Sequence, residues 1–584
     1  MKSVNRIFAL LLAAALLLSL AACGNSAGSA ASAEVAASSA EEVAQEEAPA
    51  EAEEAAEPEA PAEAEPSAEE PVSAEEPEEP AEEPEEPAVV IEYPLFDTPQ
   101  TYSIWMGSAP NLADVISEMN QFVLFRELET ITNVTWDATM VSFMAESEQF
   151  QLMVASGDYT DVCVKAESNY SGTIDQAIEE DFLIDISPYL EENAPNLTAW
   201  MEKYPELRTA MTSEGGAIGG FPKMYADYSD IGSGGMIRQD WLDDLGLESP
   251  ASYDDFYNTL IAFRDEKGAS APLIIAQANG VQSDLVNGYG ISSGFYQVDG
   301  EVRYGVIQPE FKDYLTMMNQ WYSEGLINDL FLSQGDYQNL QDTSAITTGT
   351  AGIWYGLAGQ DMTNLKEACV DENASLNGIG YPTVDGSLSH LGEVGALFDS
   401  DMWSITTACE DPEVICQYID YVYSDAGMLL ANYGVEGETF EYDENGTPVL
   451  TDLVLNNPDY PYATALNIFC CDRMTPAPFV IDEARTRADY TEEQVSAIEI
   501  WSNATDGLYN IPSTGVNMTV DESEEYNSIY SDIETYMDEN VVKFIVGDKS
   551  LDEFDAFVDT LKQMGIEDCI AIEQAAYDRY LENA

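Results

Sequence analysis

FPKMYADYSDIGSGGMIRQDWLDDLGLESPASYDDFYNTLIAF, Phe221 to Phe263, runs from an extended, turn-prone segment through Gly232, Gly234 and Gly235 into the charged and aromatic knot Arg238-Gln239-Asp240-Trp241. It ends in a helix. Ser252 stands three residues before Asp255, the spacing of a capping box, in which hydroxyl and carboxylate each satisfy a backbone N–H that the helix cannot. Phe256, Leu260 and Phe263 then recur on one helical face. Extended backbone, glycines and a newly nucleated helix predict a crossover between two separately packed cores, because glycine lets the backbone turn without side-chain obstruction. Arg238 and Asp240 are expected to form a charge-assisted pair at this crossover, with Arg238 also a candidate ligand contact.

Working outward, residues 1–23 carry Lys2 and Arg6, an apolar run from Ile7 to Leu20 broken only by Ser19, and then Leu20-Ala21-Ala22-Cys23-Gly24. The run is shorter than the ~20 apolar residues that span a bilayer, so it reads as a lipoprotein signal peptide with Cys23 as the lipid acceptor. Residues 24–93 form an acidic tether dominated by Pro, Ala and Glu, where no core can repay conformational entropy and recurring prolines break any helix. Acyl chains on Cys23 would hold the folded part on the extracellular face of the cell membrane.

From residue 87 on there are 18 Lys and Arg against 87 Asp and Glu, a net charge near −69. Such a surface repels phosphates and excludes nucleic acid as an expected partner. Nearly 500 residues are too many for one core, so at least two domains are expected. Seven cysteines besides Cys23, without a CxxC pair, are neither a zinc signature nor a disulfide scaffold. They read mainly as buried thiols, with a bridge between Cys409 and Cys416, or one through Cys470 or Cys471, left open. The single histidine, His390, removes multi-histidine metal centres. The chain is therefore read as a binder and not an enzyme.

In chain order the folded part opens with a strand at Thr101–Trp105, a helix capped by Asn111 and running through Leu128, a strand at Asn133–Trp136, a helix at Ser147–Ala155 and a strand at Asp161–Val164. That alternation predicts an α/β lobe with a mostly parallel sheet. Ligands of such sheets lie beyond the strand carboxyl ends. This makes Trp105, Ser108, Glu167 and Tyr170 candidates at the rim, with Asp158 and Asp227 as hydroxyl acceptors near strand ends and the crossover. Further on, Ala271–Ala276 reads as a strand, Pro309–Gly325 as an amphipathic helix, and Asp411-Pro412 as a helix start. Glu441–Asp452 partly fits a calcium loop, but Asn445-Gly446 between alternating flanks is the stronger signal, that of a hairpin. Calcium stays a possible cofactor.

IRQDWLDDLGLESPASYDDF (237–256) resembles the segment following the first hinge crossing in extracellular solute-binding proteins of ABC importers, family 1 type, in the large lipoprotein branch associated with carbohydrates. EQFQLMVASGDYTDVCV (148–164), with Thr160 where the family usually has proline, FLIDISPYLEENAPN (182–196), the helix beginning at Pro309 and SITTACEDPEVICQYIDYVYSDAGMLLANYGVEG (404–437) are similar to further family elements in the same order. The resemblance implies a two-lobe, periplasmic-binding-protein-like fold (type II) with a hinge, the N-terminal lobe built from 94–228 and 385–436 and the C-terminal lobe from 229–384 and 437–584. It implies an oligosaccharide or other small solute bound between the lobes by a monomer, and delivery to ABC permease subunits. Trp354 and Tyr355, on a loop after a strand, match the position where carbohydrate-binding relatives place an aromatic platform. Trp403 is a further aromatic candidate, since an aromatic ring buries the apolar face of a pyranose. An oligopeptide-binding importer component and a secreted polysaccharide-acting enzyme are the competing readings.

Overall fold

The structure, a computed structural model, describes residues 89–583 except 114, 276–280, 329–331 and 333–342. The signal segment, Cys23 and the tether to residue 88 lie outside the described residues. In chain order, the strands of the two larger sheets are β1 (Gln100–Ser108), β2 (Val134–Ser142), β3 (Val162–Val164), β4 (Phe221–Tyr225), β5 (Ser233–Arg238), β6 (Ile353–Leu357), β7 (Leu376–Ile379), β8 (Phe398–Ile405) and β9 (Val480–Ile481).

The first sheet has the order β9-β4-β8-β3-β1-β2. β1 is parallel to β2 and β3, while β8 returns antiparallel between β3 and β4. The helices Val123–Thr132 and Glu146–Ser156 are the crossovers that parallel neighbours require. β1 is buried on both faces, which explains its unbroken Ile104-Trp105-Met106: Ile104 and Met106 enter one core, and Trp105 faces Phe150 on the other side. The helix expected from Asn111 to Leu128 is shorter. The side chain of Gln121 accepts from the backbone N–H of Ser117 and Glu118, and the regular helix starts only at Val123. A side chain that satisfies amides ahead of the helix sets a new start there.

The second sheet, β6-β5-β7, is antiparallel throughout. Its glycines serve packing more than turning. A Cβ on Gly234 would lie 2.6 Å from the Trp501 indole nitrogen, and one on Gly235 would lie 2.7 Å from Ile379. The Trp501 N–H donates to the Gly235 carbonyl at 3.0 Å, so helix Glu492–Ser502 sits directly on the strand. Ser252 and Asp255 form the expected capping box on helix Tyr253–Glu266, whose Phe256 stacks on Trp321 with ring centroids 5.5 Å apart. Residues 271–275, expected as a strand, make only single bridges from Leu273 to Ile327 and Ile353.

Each sheet has its own core, the two-lobe α/β arrangement. The partition differs from the expected one in two places. Ile468 to Ile481, expected in the C-terminal lobe, pack into the first core, and β9 pairs with β4. Leu391, expected in the N-terminal lobe, belongs to the second core. The chain passes between the cores around residues 226–232, 393–397 and 482–490. There Ser229 exchanges two hydrogen bonds with Ala396, and Arg487 pairs with Asp230. A further contact joins the lobes outside these passages: Arg579, held by Glu522 of its own lobe at 2.6 Å, pairs with first-lobe Glu214 at 2.9 Å, and the Asn517 amide donates to the Thr212 carbonyl at 2.9 Å.

Phe440–Tyr442 and Pro448–Leu450 form the expected hairpin, with Gly446 at φ 83° and Asp443 accepting from the Asn445 and Thr447 amides. Cys409, Cys416, Cys470 and Cys471 are buried free thiols, so the bridges left open by the sequence are not formed.

Candidate functional site

β5 begins, and β6 and β7 end, on the side of the second sheet nearest the passages between the lobes. A cavity of about 390 Å³ opens there. This is the strand-end position where α/β folds hold ligands. Among the segments that converge on it are the start of β5, the short helix Ser283–Asn287, β6 at Tyr355 and the stretch from Tyr381 to Glu393. Glu393 is held from two sides, its carboxylate accepting from Ser233 at 3.3 Å and its backbone N–H donating to the Tyr381 hydroxyl at 3.2 Å. Because Glu393 lies two residues before Gly395, which packs against Ser229, the cavity wall runs directly into a passage between the lobes.

The polar lining has unmet valence. Among the described residues, the Tyr355 hydroxyl and the Gln282 side-chain oxygen have no hydrogen-bond partner although they are buried, on residues only 5% and 8% exposed. Leaving such groups unpaired costs ~1–3 kcal/mol each unless something fills the cavity. Burial, reinforced by the Glu393 charge, raises the Asp284 carboxyl from its ordinary 3.8 to about 7. Burial likewise pushes the Tyr355 phenol well above its ordinary value, so it stays a neutral donor and acceptor.

Of the residues singled out in the sequence, Tyr355 lines this cavity. Trp354 does not. The two are consecutive in β6 and not on a loop, so their side chains take opposite faces, and Trp354 is wholly buried in a separate cluster with Trp501. Trp403 is wholly buried as well, stacked on Phe125 at 5.8 Å with its indole N–H donating to the Pro476 carbonyl. Trp105 is buried against Phe150. Arg238 lies at the opposite end of β5, buried in a two-bond pair with Asp240 (2.8 and 2.6 Å) and over the Trp241 ring. The charge-assisted pair the sequence predicts is thus formed, but at the far end of β5 from the crossover, with a structural role.

Ser108, Glu167, Tyr170 and Asp227 follow the carboxyl ends of β1, β3 and β4, apart from the cavity lining, whereas Asp158 precedes β3 and lies at the opposite edge of the sheet. Ser108 closes β1. Glu167 accepts from the Met402 N–H at 3.1 Å, and Tyr170 stacks on Phe182 and donates to Glu180 at 2.7 Å. Asp158 and Asp227 are exposed, Asp227 accepting from the Tyr228 N–H. Asp284, Glu393, Gln282 and Tyr381 were not singled out. They come from separate segments with no periodic pattern to join them.

The sequence profile of the family described as bacterial extracellular solute-binding protein matches residues 109–429. The fructooligosaccharide ABC transporter substrate-binding protein FusA of Streptococcus pneumoniae serotype 4 is 23% identical over 502 residues, covering 78% of this chain and 86% of FusA. The polygalacturonan/rhamnogalacturonan-binding protein YtcQ of Bacillus subtilis is 22% identical over 467 residues, covering 77% and 87%. Among solved structures, the alginate-binding protein AlgQ2 without calcium superposes with a TM-score of 0.65 at 26% identity, covering 83% of this chain and 99% of AlgQ2.

Proposed function

We propose, from the premise that this chain belongs to the bacterial extracellular solute-binding protein family, that it captures an oligosaccharide in the crevice that includes the Asp284–Glu393 cavity and hands it unchanged to ABC permease subunits. The observation that carries this reading is the cavity itself. It combines a Tyr355 ring, carboxylates and a side-chain amide with buried polar atoms that have no partner among the described residues, which is the mixture that recognises a polyhydroxylated ligand. The carbohydrate-binding relatives support the same ligand class.

In this reading the lobes are hinged at the three passages, and a ligand that touches both lobes shifts the open–closed equilibrium toward the closed form. The first-lobe candidates Ser108, Glu167, Tyr170 and Asp227 would then form the facing wall, and Asp158, at the other edge of the sheet, would not. Lipidation of Cys23 holds the protein, as a monomer, at the outer face of the membrane, and the 24–93 tether gives it reach. The test is calorimetry of the mature chain against a glycan panel and a peptide panel. Binding of at least one oligosaccharide that is recovered intact is expected. Binding of peptides alone, or turnover of the glycan, would refute the proposal.

A further inference from the structure

The likeness to relatives does not choose a ligand charge, since their names include both a fructooligosaccharide and a polygalacturonan binder. The cavity does. Two carboxylates, Asp284 and Glu393, line it, and among the described residues no Lys, Arg or His does. The cation nearest in influence, Arg473, is committed elsewhere: its guanidinium pairs with Glu483 at 2.5 Å and lies over the Tyr225 ring at 5.1 Å. The acidic pair alone would be an ordinary surface feature. What points to a ligand is that the Tyr355 hydroxyl and the Gln282 oxygen, each on a residue more than nine-tenths buried, also line the cavity without partners among the described residues.

The charged groups of the lining decide the ligand chemistry. Asp284 and Glu393 offer acceptor oxygens when ionised, Gln282 offers one more, and Tyr355 can both donate and accept. The Gln282, Asn287 and Asn510 amides and the serine hydroxyls of the lining can donate as well as accept, so only the charged groups are one-sided; they offer acceptors, and their natural complement is a group that brings donors. Sugar hydroxyls do so. A uronate carboxylate brings acceptors only and adds a third negative charge to two already there, in a recess that is less screened than open surface.

We infer that this cavity is a specificity-determining subsite for an uncharged glycosyl residue and that it rejects uronic acids, with Asp284 and Glu393 as the discriminating groups. The inference rests on the glycan-capture reading and narrows it.

The test is isothermal titration of the mature chain at pH 8 with neutral oligosaccharides of glucose, galactose, mannose, xylose or fructose, and with oligogalacturonates and alginate oligomers of matched length. The expected result is that at least one neutral series binds at least ~10-fold more tightly than any uronate series. Glu393→Gln should narrow that ratio by weakening rejection. Tyr355→Phe, which keeps the ring, should weaken the neutral ligand several-fold without creating uronate binding. Uronates binding as tightly as neutral glycans would overturn the charge inference and leave glycan capture standing. Binding of no glycan would overturn the underlying reading, and this inference with it.

Discussion

Asp284→Asn separates an electrostatic role for this residue from a packing role. The carboxyl titrates near 3.8 in the unfolded chain and at about 7 in the folded one, held up by burial first and by the Glu393 charge second. The Tyr355 and Tyr381 phenols face it and are neutral throughout the range considered. A raised carboxyl pKa means the folded state binds the proton more tightly. The stability this contributes is complete below pH 4, declines as pH rises from about 4 to about 7, and is absent above that. At 1.36 kcal/mol per unit, the ionised carboxyl costs at most about 4 kcal/mol at pH 8. The amide never ionises, so Asp284→Asn should leave the ligand-free protein near wild-type stability at pH 4 and raise the melting temperature of the second lobe at pH 8. Scanning calorimetry at pH 4, 6 and 8 reads this directly, and Glu393→Gln should reproduce part of the gain. An equal shift at every pH, or a gain at pH 4 that vanishes at pH 8, would refute the reasoning.

Gly234→Ala should destabilise by about 1–3 kcal/mol, because its Cβ would press on the Trp501 indole, whereas Gly232→Ala, with open space around its Cβ, should be close to neutral; paired thermal melts check both. Asp420→Ala should cost on the order of 3 kcal/mol in chemical denaturation, since the buried carboxylate accepts from the Leu197 N–H and from both the backbone and side-chain N–H of Asn196 at the start of helix Pro195–Lys203. Arg579→Gln removes two partly exposed ion pairs worth about 0.5–1 kcal/mol each. The ligand-free protein should then sample a larger radius of gyration in solution scattering, and an unchanged curve would count against hinged lobes.

Local chemistry with short-range causes was legible in the sequence. Ser252 and Asp255 announced a helix start, Asn445-Gly446 a hairpin, and Arg238 with Asp240 a buried pair, because each depends on residues a few positions apart. The glycines at 234 and 235 were noticed for the wrong reason. Their partners, Trp501 and Ile379, lie more than a hundred residues away, and a close approach of that kind leaves no local signal. Trp354 and Tyr355 read from sequence as a loop pair but lie inside a strand, where consecutive residues face opposite ways, so only Tyr355 reaches the cavity. The cavity as a whole was beyond a sequence-based reading. Gln282 and Asp284 sit at a five-residue helix, Tyr381 and Glu393 lie in irregular chain, and only the folded backbone assembles them.

The strap of Arg579 across Glu214 and Glu522 has a bearing on how affinity should respond to added salt. A ligand without charge would ordinarily bind with a strength indifferent to ionic strength. If the lobes close on a neutral guest as proposed, that equilibrium carries a charged contact of its own, about a quarter exposed and therefore open to counter-ions, so sodium chloride should tune the binding without ever meeting the guest.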